Sequence, residues 1–418
     1  MQLNSLMAST RASAWVVIGG SLLRIAPGNA SFTVLPIGGS LHERASLWSI
    51  YVSVGISYLG VGLVAPLISL VLYQHGANSF LVGLVGTTMF AAFTVTAFPI
   101  GAATDRIGTK PMLIAGLVVY GAAILMFSFI AGTWPFFLVR TVEGIGGAAI
   151  SVATETMINH LSPPDQRSQR MGYYAISVAA GWALGPLVGT SLFQVHPRAP
   201  FIAGFVFSGV AAALVLAYAP TSKSPDHTAK GLLSVLSVRM VVPISAGCLY
   251  GYLMSSLVTL FPLYLKYKGI KEVLMGVIIS AVVIGTIVSQ LPIGRAADRF
   301  GKKIVLLVCG ISLSGLFVLL PQNPAWWYLV MIGVLIGAAA GSLYPLGLAM
   351  IGEITKGERL GAATSLFSLA FGVGSLIGPS VSGLAMNRFG YEALFYLPAA
   401  LTAVFAVEIT ALDGKSFS

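Results

Sequence analysis

Charge is scarce in this chain: only 9% of its 418 residues are Asp, Glu, Lys or Arg, against roughly 25% in a soluble domain. That excludes an ordinary water-soluble globule, and with 56% apolar residues and a mean hydropathy of +0.90 the chain is suited to a bilayer. Cysteine is nearly absent. Cys248 and Cys309 lie inside apolar runs with no Cys or His nearby, which argues against a disulfide framework or a thiolate metal site and leaves two buried free thiols. The five histidines fall in loops or at segment ends, so none is placed to carry protons at membrane depth. There is no Gly-x-x-x-x-Gly-Lys-[Ser/Thr] phosphate loop, and no Ser, His and Asp are spaced to act together. The chain therefore reads as a non-enzyme without a bound cofactor. Energy for uphill movement would come from an ion gradient, with the proton as the natural ion.

Long apolar runs fill the sequence instead. A membrane-spanning helix needs about 20 largely apolar residues, and twelve such segments fit near 47–73, 80–103, 111–131, 134–159, 170–194, 200–219, 239–264, 273–297, 304–321, 325–352, 361–384 and 391–411. Their linkers are short except for 220–238, a polar stretch carrying Pro and Ser at the midpoint. The expected organisation is an N-terminal extension without assigned structure (1–46), a six-helix half (47–219), a central linker (220–238), a second six-helix half (239–411) and a short tail (412–418). The fold class is all-α integral membrane, twelve helices in two halves.

The net charge of +10 could suggest a nucleic-acid partner, but its distribution follows membrane topology. The loops after segments 2, 4, 6, 8 and 10 hold most of the Lys and Arg, whereas the opposite loops hold only Arg198, Lys266, Lys268, Lys271 and Arg388. By the positive-inside rule the basic loops and both termini are cytoplasmic. The run Ala12 to Leu23 superficially resembles a signal peptide with Ala30 near a cleavage site. Cleavage there would invert every loop against the charge count. A cytoplasmic or interfacial extension is the preferred reading of residues 1–46, with an over-called start site as the rival.

The chain also repeats itself. Pro99-Ile-Gly-Ala-Ala-Thr-Asp-Arg-Ile-Gly-Thr-Lys110 returns as Pro292-Ile-Gly-Arg-Ala-Ala-Asp-Arg-Phe-Gly-Lys-Lys303, an offset of 292 − 99 = 193 residues. The same offset carries Gly76 onto Gly269, Gly83 onto Gly276, Gly144 onto Gly337, Gly181 onto Gly374 and Gly185-Pro186 onto Gly378-Pro379. Two equivalent halves in a membrane chain are the architecture of an alternating-access transporter, with the substrate site between them. The loop pattern Gly-x-x-x-Asp-Arg-x-Gly-[Arg/Lys]-Lys, in register in both halves, resembles the signature of the major facilitator superfamily. Thr109 departs from it in the first copy. Gly108 and Gly301 suit the sharp turn, and Gly101 and Gly294 are expected to let a neighbouring helix approach. Asp105, Arg106, Lys110, Asp298, Arg299 and Lys303 form the expected conformational latch, with Glu155 as a further partner for Arg106, Arg167 or Arg170. Glu353 and Glu408 are expected in interfacial water.

Arg140-Thr-Val-Glu143-Gly144-Ile-Gly146-Gly147 lies inside the fourth apolar segment. A charge at that depth costs roughly 2.5 kcal/mol or more unless paired, and Glu143 at i,i+3 can pair with Arg140 on one helix face. The repeat supplies a control, because the equivalent positions are Gly333 and Ile336. The stretch resembles the superfamily pattern Arg-x-x-Gln-Gly-x-Gly, with Glu143 in place of Gln, and that resemblance implies proton coupling or substrate contact at Arg140, Glu143 and Gly144. A static ion pair is the alternative. Gly181, Gly185, Pro186 and Gly189 resemble the family motif Gly-x-x-x-Gly-Pro-x-x-Gly, which implies a drug:proton antiporter and efflux; ordinary small-residue packing is the alternative. In the family fold, segments 1, 4, 7 and 10 line the cavity, which implies Tyr51, Tyr58, Tyr250, Tyr252, Ser256 and Tyr344 as lining. Aromatic and hydroxyl groups suit an amphipathic organic molecule. The expected function is proton-coupled export of such a compound from a plasma-membrane monomer whose partners are the bilayer, protons and substrate, with no nucleic acid. Import by a symporter or facilitator, and a non-transporting sensor, are the alternatives.

Overall fold

The computed structural model describes residues 14–18, 21–25, 32–36, 41–163, 166–220, 237–355 and 360–413. The chain separates into two compact units, Met1–Ser49 and Ile50–Ser418. The first contains a three-stranded antiparallel meander, β1 (Ala14–Ile18), β2 (Ser21–Ile25) and β3 (Phe32–Pro36), with Ala14 opposite Ile25 and Ile25 opposite Phe32. The sequence reading assigned no structure there. The central linker, at 221–236, lies outside the described residues, as do Lys356, Arg359 and the tail from 414.

Twelve helices among the described residues are long and apolar enough to cross a membrane. They comprise α1 (Leu41–Gln74), α2 (Ser79–Ile107), α3 (Thr109–Met126), α4 (Trp134–Leu161), α5 (Arg167–Val195), α6 (Ala199–Tyr218), α7 (Val241–Tyr267), α8 (Glu272–Phe300) and α9 (Lys302–Leu319). The tenth span is broken into α10 (Trp326–Ala340) and α11 (Leu343–Ile354), and the last two spans are α12 (Leu360–Phe389) and α13 (Ala393–Asp413). One continuous helix had been expected over 325–352. Pro345 fits the break without dictating it: a proline lacks the N–H that would reach Gly341 and is tolerated in the first turn of a new helix.

Local chemistry sets the other ends. Asn78 caps α2 by accepting the Leu81 backbone N–H at 2.9 Å. Gly108 and Gly301 turn the chain from α2 to α3 and from α8 to α9 at φ of 100° and 91°, a region costly for any residue with a Cβ. The exposed apolar residues, such as Phe98, Leu138, Val206, Val288 and Val407, form the face available to lipid. Indoles and rings gather at helix ends, where Trp134, Trp326 and Trp327 are exposed, as an interfacial belt requires.

The 193-residue repeat is also a repeat of packing. A Cβ on Gly181 of α5 would sit 2.6 Å from the Leu59 nitrogen of α1, and one on Gly374 of α12 would sit 3.0 Å from the Tyr252 nitrogen of α7. Leu59 and Tyr252 are themselves 193 residues apart. The halves then cross-pack, α2 on α12 and α5 on α8. A side chain at Gly83 would strike the Pro379 carbonyl, and one at Gly276 would come 2.7 Å from the Pro186 carbonyl. The prolines and glycines of the Gly-Pro motifs therefore hold both helix–helix seams within a half and seams between halves.

Candidate functional site

Arg140 and Glu143 lie on α4, one turn apart. Arg140 Nη1 donates to Glu143 Oε2 at 3.0 Å, and the two residues are only 5% and 2% exposed. The hydroxyl of Tyr120, from α3, donates to Glu143 Oε1 at 3.3 Å. The Arg140 Nε–H is buried without a hydrogen-bond partner. Gly144 brings α2 against the pair, since a Cβ there would lie 2.8 Å from Ala92 Cβ and 3.0 Å from the Phe93 nitrogen. The equivalent Gly337 packs on Val282, the repeat counterpart of Met89 on α2, so both halves keep this backbone crossing. Only the first half carries the charges.

The structure redirects Glu155. The expected latch to Arg106, Arg167 or Arg170 is not made: Arg170 donates to the Leu161 carbonyl and, at 3.2 Å, to Gln166 Oε1. Glu155 Oε1 instead accepts from the Tyr174 hydroxyl of α5 at 3.3 Å and from Ser151 Oγ at 3.4 Å. Tyr58 of α1 lies beside Ser151 and Tyr174 in the same cluster. Glu155 is exposed although it lies within a spanning helix, about 9 Å from the helix end by the helical rise. Its partners lie on α4 and α5 of the first half, away from the loop a latch residue would have met.

The expected lining divides. Tyr58, Tyr250 and Tyr344 are half-buried, and Tyr250 packs on Tyr344 and Phe371 with ring centroids 5.7 and 5.8 Å apart. Tyr51 is buried, its ring 5.8 Å from that of Tyr173. Tyr252 and Ser256 belong to the packing between α7 and α12, contrary to their expected place in the cavity. The Tyr252 hydroxyl and Ser382 Oγ lie 2.7 Å apart, and Ser382 donates on to Ser256 at 3.1 Å. Hydroxyls buried in an apolar interior need partners, and here they find one another.

On the side of the two Asp-Arg loops, the expected aspartate and arginine contacts are not made among the described residues. Arg106, Asp298 and Arg299 are exposed, and among the described residues no ion pair joins Asp105, Asp298 or either arginine to another element. The close helix approach expected at Gly101 and Gly294 is also missing: a Cβ on Gly101 would meet only Val152, at 3.9 Å, and one on Gly294 would meet nothing. Lys110 and Lys303 stand in the first turns of α3 and α9. Glu353, expected in interfacial water, pairs with Lys302, while Glu408 accepts from Ser245 at 2.7 Å.

The opposite side is closed. There the Gly83–Pro379 and Gly276–Pro186 contacts bring the halves together, and the Ser69 hydroxyl of α1 donates to the Thr259 carbonyl of α7. Tyr391, between α12 and α13, stacks on Tyr267 at 4.3 Å and 7° and lines one cleft with Tyr73 of the first half. Burial pushes the Tyr391 hydroxyl up to about 12. The sites expected from sequence thus fall into a buried pair, an exposed carboxylate within a spanning helix and two packing seams. Tyr120, Ser151, Tyr174 and Phe371 were missed. The only signal for them was polar or aromatic character in apolar segments.

Comparison with known proteins agrees with this architecture. The family model of the Major Facilitator Superfamily matches residues 50–284 and 244–412. The uncharacterized MFS-type transporter YfkF of Bacillus subtilis (strain 168) is 27% identical over 362 residues, 85% of this chain and 92% of that protein. The uncharacterized MFS-type transporter YcaD of Escherichia coli O45:K1 is 28% identical over 367 residues, 86% and 93% of the two chains. Among solved structures, the nucleoside transporter NupG superposes with a TM-score of 0.74 at 14% identity, covering 88% of this chain and 98% of that one. At that identity the likeness speaks for the fold alone.

Proposed function

The chain belongs to the Major Facilitator Superfamily, and from that premise we propose that this transporter exports a small amphipathic organic compound across the plasma membrane in exchange for protons. The observation that carries the reading is the buried Arg140–Glu143 pair, present in one half of an otherwise repeated scaffold. A pair that served only to pack helices would have reason to recur at Gly333 and Ile336, whereas a coupling centre is needed once. Arg140 compensates a carboxylate that would otherwise be costly at this depth. Tyr120 holds the second carboxylate oxygen and orients it.

In this reading the motif side is cytoplasmic, as the excess of Lys and Arg there favours, and the observed state faces inward. Opening outward separates α2 from α12 and α5 from α8 at their Gly-Pro contacts, while the Asp105–Arg106 and Asp298–Arg299 loops engage. Alternation requires two such exclusive contact sets. Proton entry from outside to Glu143 then accompanies substrate release, and proton loss to the inside resets the carrier. The Gly181-to-Gly189 motif keeps α5 close on α1 throughout. The scaffold takes lipid, protons and one small-molecule substrate, and works as a monomer.

The test is substrate-induced proton movement in proteoliposomes with wild-type protein and Glu143→Gln. Proton release on the substrate side, lost in the variant, supports antiport through Glu143. Coupling that survives the substitution reduces Glu143 to a structural partner of Arg140. Substrate that moves with the protons indicates symport, and a chain that moves no compound is a sensor rather than a carrier.

A further inference from the structure

The two halves differ where the ninth span meets the tenth. In the first half α3 lies closely along α4 because two glycines meet there: a Cβ on Gly116 would lie 2.8 Å from Ala149 Cβ, and one on Gly146 would lie 2.7 Å from the Tyr120 nitrogen. Adding 193 puts Cys309 in the place of Gly116, Ala339 in that of Gly146 and Ser342 in that of Ala149. Side chains stand where backbones touched, with Cys309 Sγ 3.3 Å from Ser342 Oγ, and α9 packs only loosely on α10. The lost crossing leaves a groove of about 780 Å³ between α8, α9 and α10, and Cys309 and Ala339 themselves line it.

The groove is shaped for an apolar chain. Cys309 and Ser312 are the only polar side chains along it, and Ile304, Val308, Ile311 and Leu319 are exposed on the face available to lipid. It follows α9 from Ile304 to Leu319, about 22 Å by the helical rise. One leaflet supplies half of a roughly 30 Å hydrocarbon core, so an extended acyl chain from that leaflet can lie along the groove in full. At the Ile304 end the charges are Arg295, Arg299, Lys302 and Lys303 against Asp298 and Glu353, and Glu353 is taken up by Lys302. The Arg299 guanidinium lies 5.2 Å from the centre of the Phe300 ring, which lines the groove, and has no carboxylate within ion-pair distance among the described residues. A surplus of cations at the mouth of an apolar slot, at the level of the membrane surface, is complementary to an anionic headgroup.

We propose that this groove holds one anionic phospholipid, with an acyl chain along Cys309, Ser312 and Gly315 of α9 and the headgroup phosphate at Arg299. The chain replaces the helix–helix packing that α9 and α10 lost with the two glycines, so the lipid becomes a part of the second half. The site lies on the outer face of that half, apart from the Arg140–Glu143 pair, and does not depend on the direction in which the carrier moves its cargo.

The test strips the full-length protein of lipid in detergent, titrates back phosphatidylglycerol or phosphatidylcholine of identical chains, and counts bound lipid by native mass spectrometry. One phosphatidylglycerol per protein is expected to bind about fivefold more tightly than phosphatidylcholine, on the scale of one basic residue at an anionic membrane surface, and Arg299→Gln is expected to remove that preference. Gly315→Trp fills the groove and is expected to abolish the tight site; a Cβ at Gly315 meets nothing within 4 Å, so the fold has room for the substitution. Gly209→Trp on α6, where a Cβ also meets nothing, is the control and should keep the lipid. Glycerophosphoglycerol, the headgroup without chains, is not expected to displace it. Equal affinity for the two lipids, a preference that survives Arg299→Gln, a tight site that survives in monodisperse Gly315→Trp, equal loss in Gly209→Trp, or displacement by the free headgroup overturns the proposal. No flux is read, so a failure of proton antiport leaves this site standing, and a failure of lipid binding leaves antiport untouched.

Discussion

Replacing Arg140 by Met removes the cation and leaves Glu143, 2% exposed, with only the Tyr120 hydroxyl as a donor. Glu143→Leu does the converse and strands the guanidinium. Breaking a buried pair from either side costs about 3–5 kcal/mol, because a charge is left without compensation, whereas replacing both partners with apolar groups of similar volume is near neutral. In the double variant the remaining defect is the Tyr120 hydroxyl, a buried donor worth about 1–2 kcal/mol when left unmade. The expected order is therefore that each single variant is less stable than the double, with an interaction between the sites of at least about 2 kcal/mol. Reversible unfolding in mixed detergent micelles, followed by circular dichroism, measures all four proteins of the cycle. Single losses that sum to the double within about 0.5 kcal/mol would mean that the two side chains do not interact, and would refute the paired arrangement on which the coupling argument stands.

Tyr120→Phe deletes one long hydrogen bond, 3.3 Å, to the Glu143 carboxylate, and the same unfolding assay should show a loss of about 0.5–1.5 kcal/mol; no loss would show that the hydroxyl does not hold the carboxylate. Gly83→Leu or Gly276→Leu drives a side chain into the Pro379 or Pro186 backbone, so either should weaken the closed side. Spin labels at Asn78→Cys and Asn387→Cys, which flank one cleft on that side, should report a longer distance in the variants, and an unchanged distance would show that these contacts do not hold the closure. Lys268 Nζ lies 2.8 Å from Glu392 Oε1, and its hydrogen bond holds that carboxyl below its ordinary value. The pair's contribution is then fully present above about pH 4.3, the ordinary carboxylate value, and is lost as pH falls through the lower folded value. Because both groups are partly exposed, a few tenths of a kcal/mol is expected, and Lys268→Met should flatten the stability profile in that acidic window.

The spans and the repeat were legible because both are local. Apolar length alone marks a spanning helix, and a Gly-Pro spacing preserved over 193 residues marks a preserved crossing. The direction in which a polar side chain points was less legible. Each residue rotates by about 100° around a helix, so a cavity position and a packing position are separated by a single step. Tyr250 and Tyr252 are two residues apart on α7; one packs on Tyr344 of α11 and the other bonds to Ser382 on α12. Their residue type is identical, and only the facing helix distinguishes them. Glu155 was drawn toward a latch by the arginines near it in sequence, yet Arg170 was already committed to the end of α4. Pro345 signalled the break in the tenth span, but helix-internal prolines at Pro66, Pro186 and Pro379 break nothing, so residue identity alone did not decide it.

The repeat separates scaffold from chemistry. Turns at Gly108 and Gly301, crossings at Gly144 and Gly337, and seams at Gly181 and Gly374 all occur twice, because two halves that rock about a common gap need the same joints. The polar groups of the first half do not recur: Tyr120, Arg140, Glu143 and Glu155 become Leu313, Gly333, Ile336 and Leu348. A membrane interior penalises each of these groups separately, so a second copy would add cost without adding a second transport path. The asymmetry also limits what relatives can teach. A shared scaffold does not carry cargo or coupling ion with it, and Glu155 and Glu143 are among the residues that the repeat leaves free to differ. Glu155→Leu, which gives the first half the residue the second half has at that position, puts this to the test: none of the glycine crossings touches Glu155, so reversible unfolding should change by less than about 1 kcal/mol, and a larger loss would show that Glu155 belongs to the scaffold.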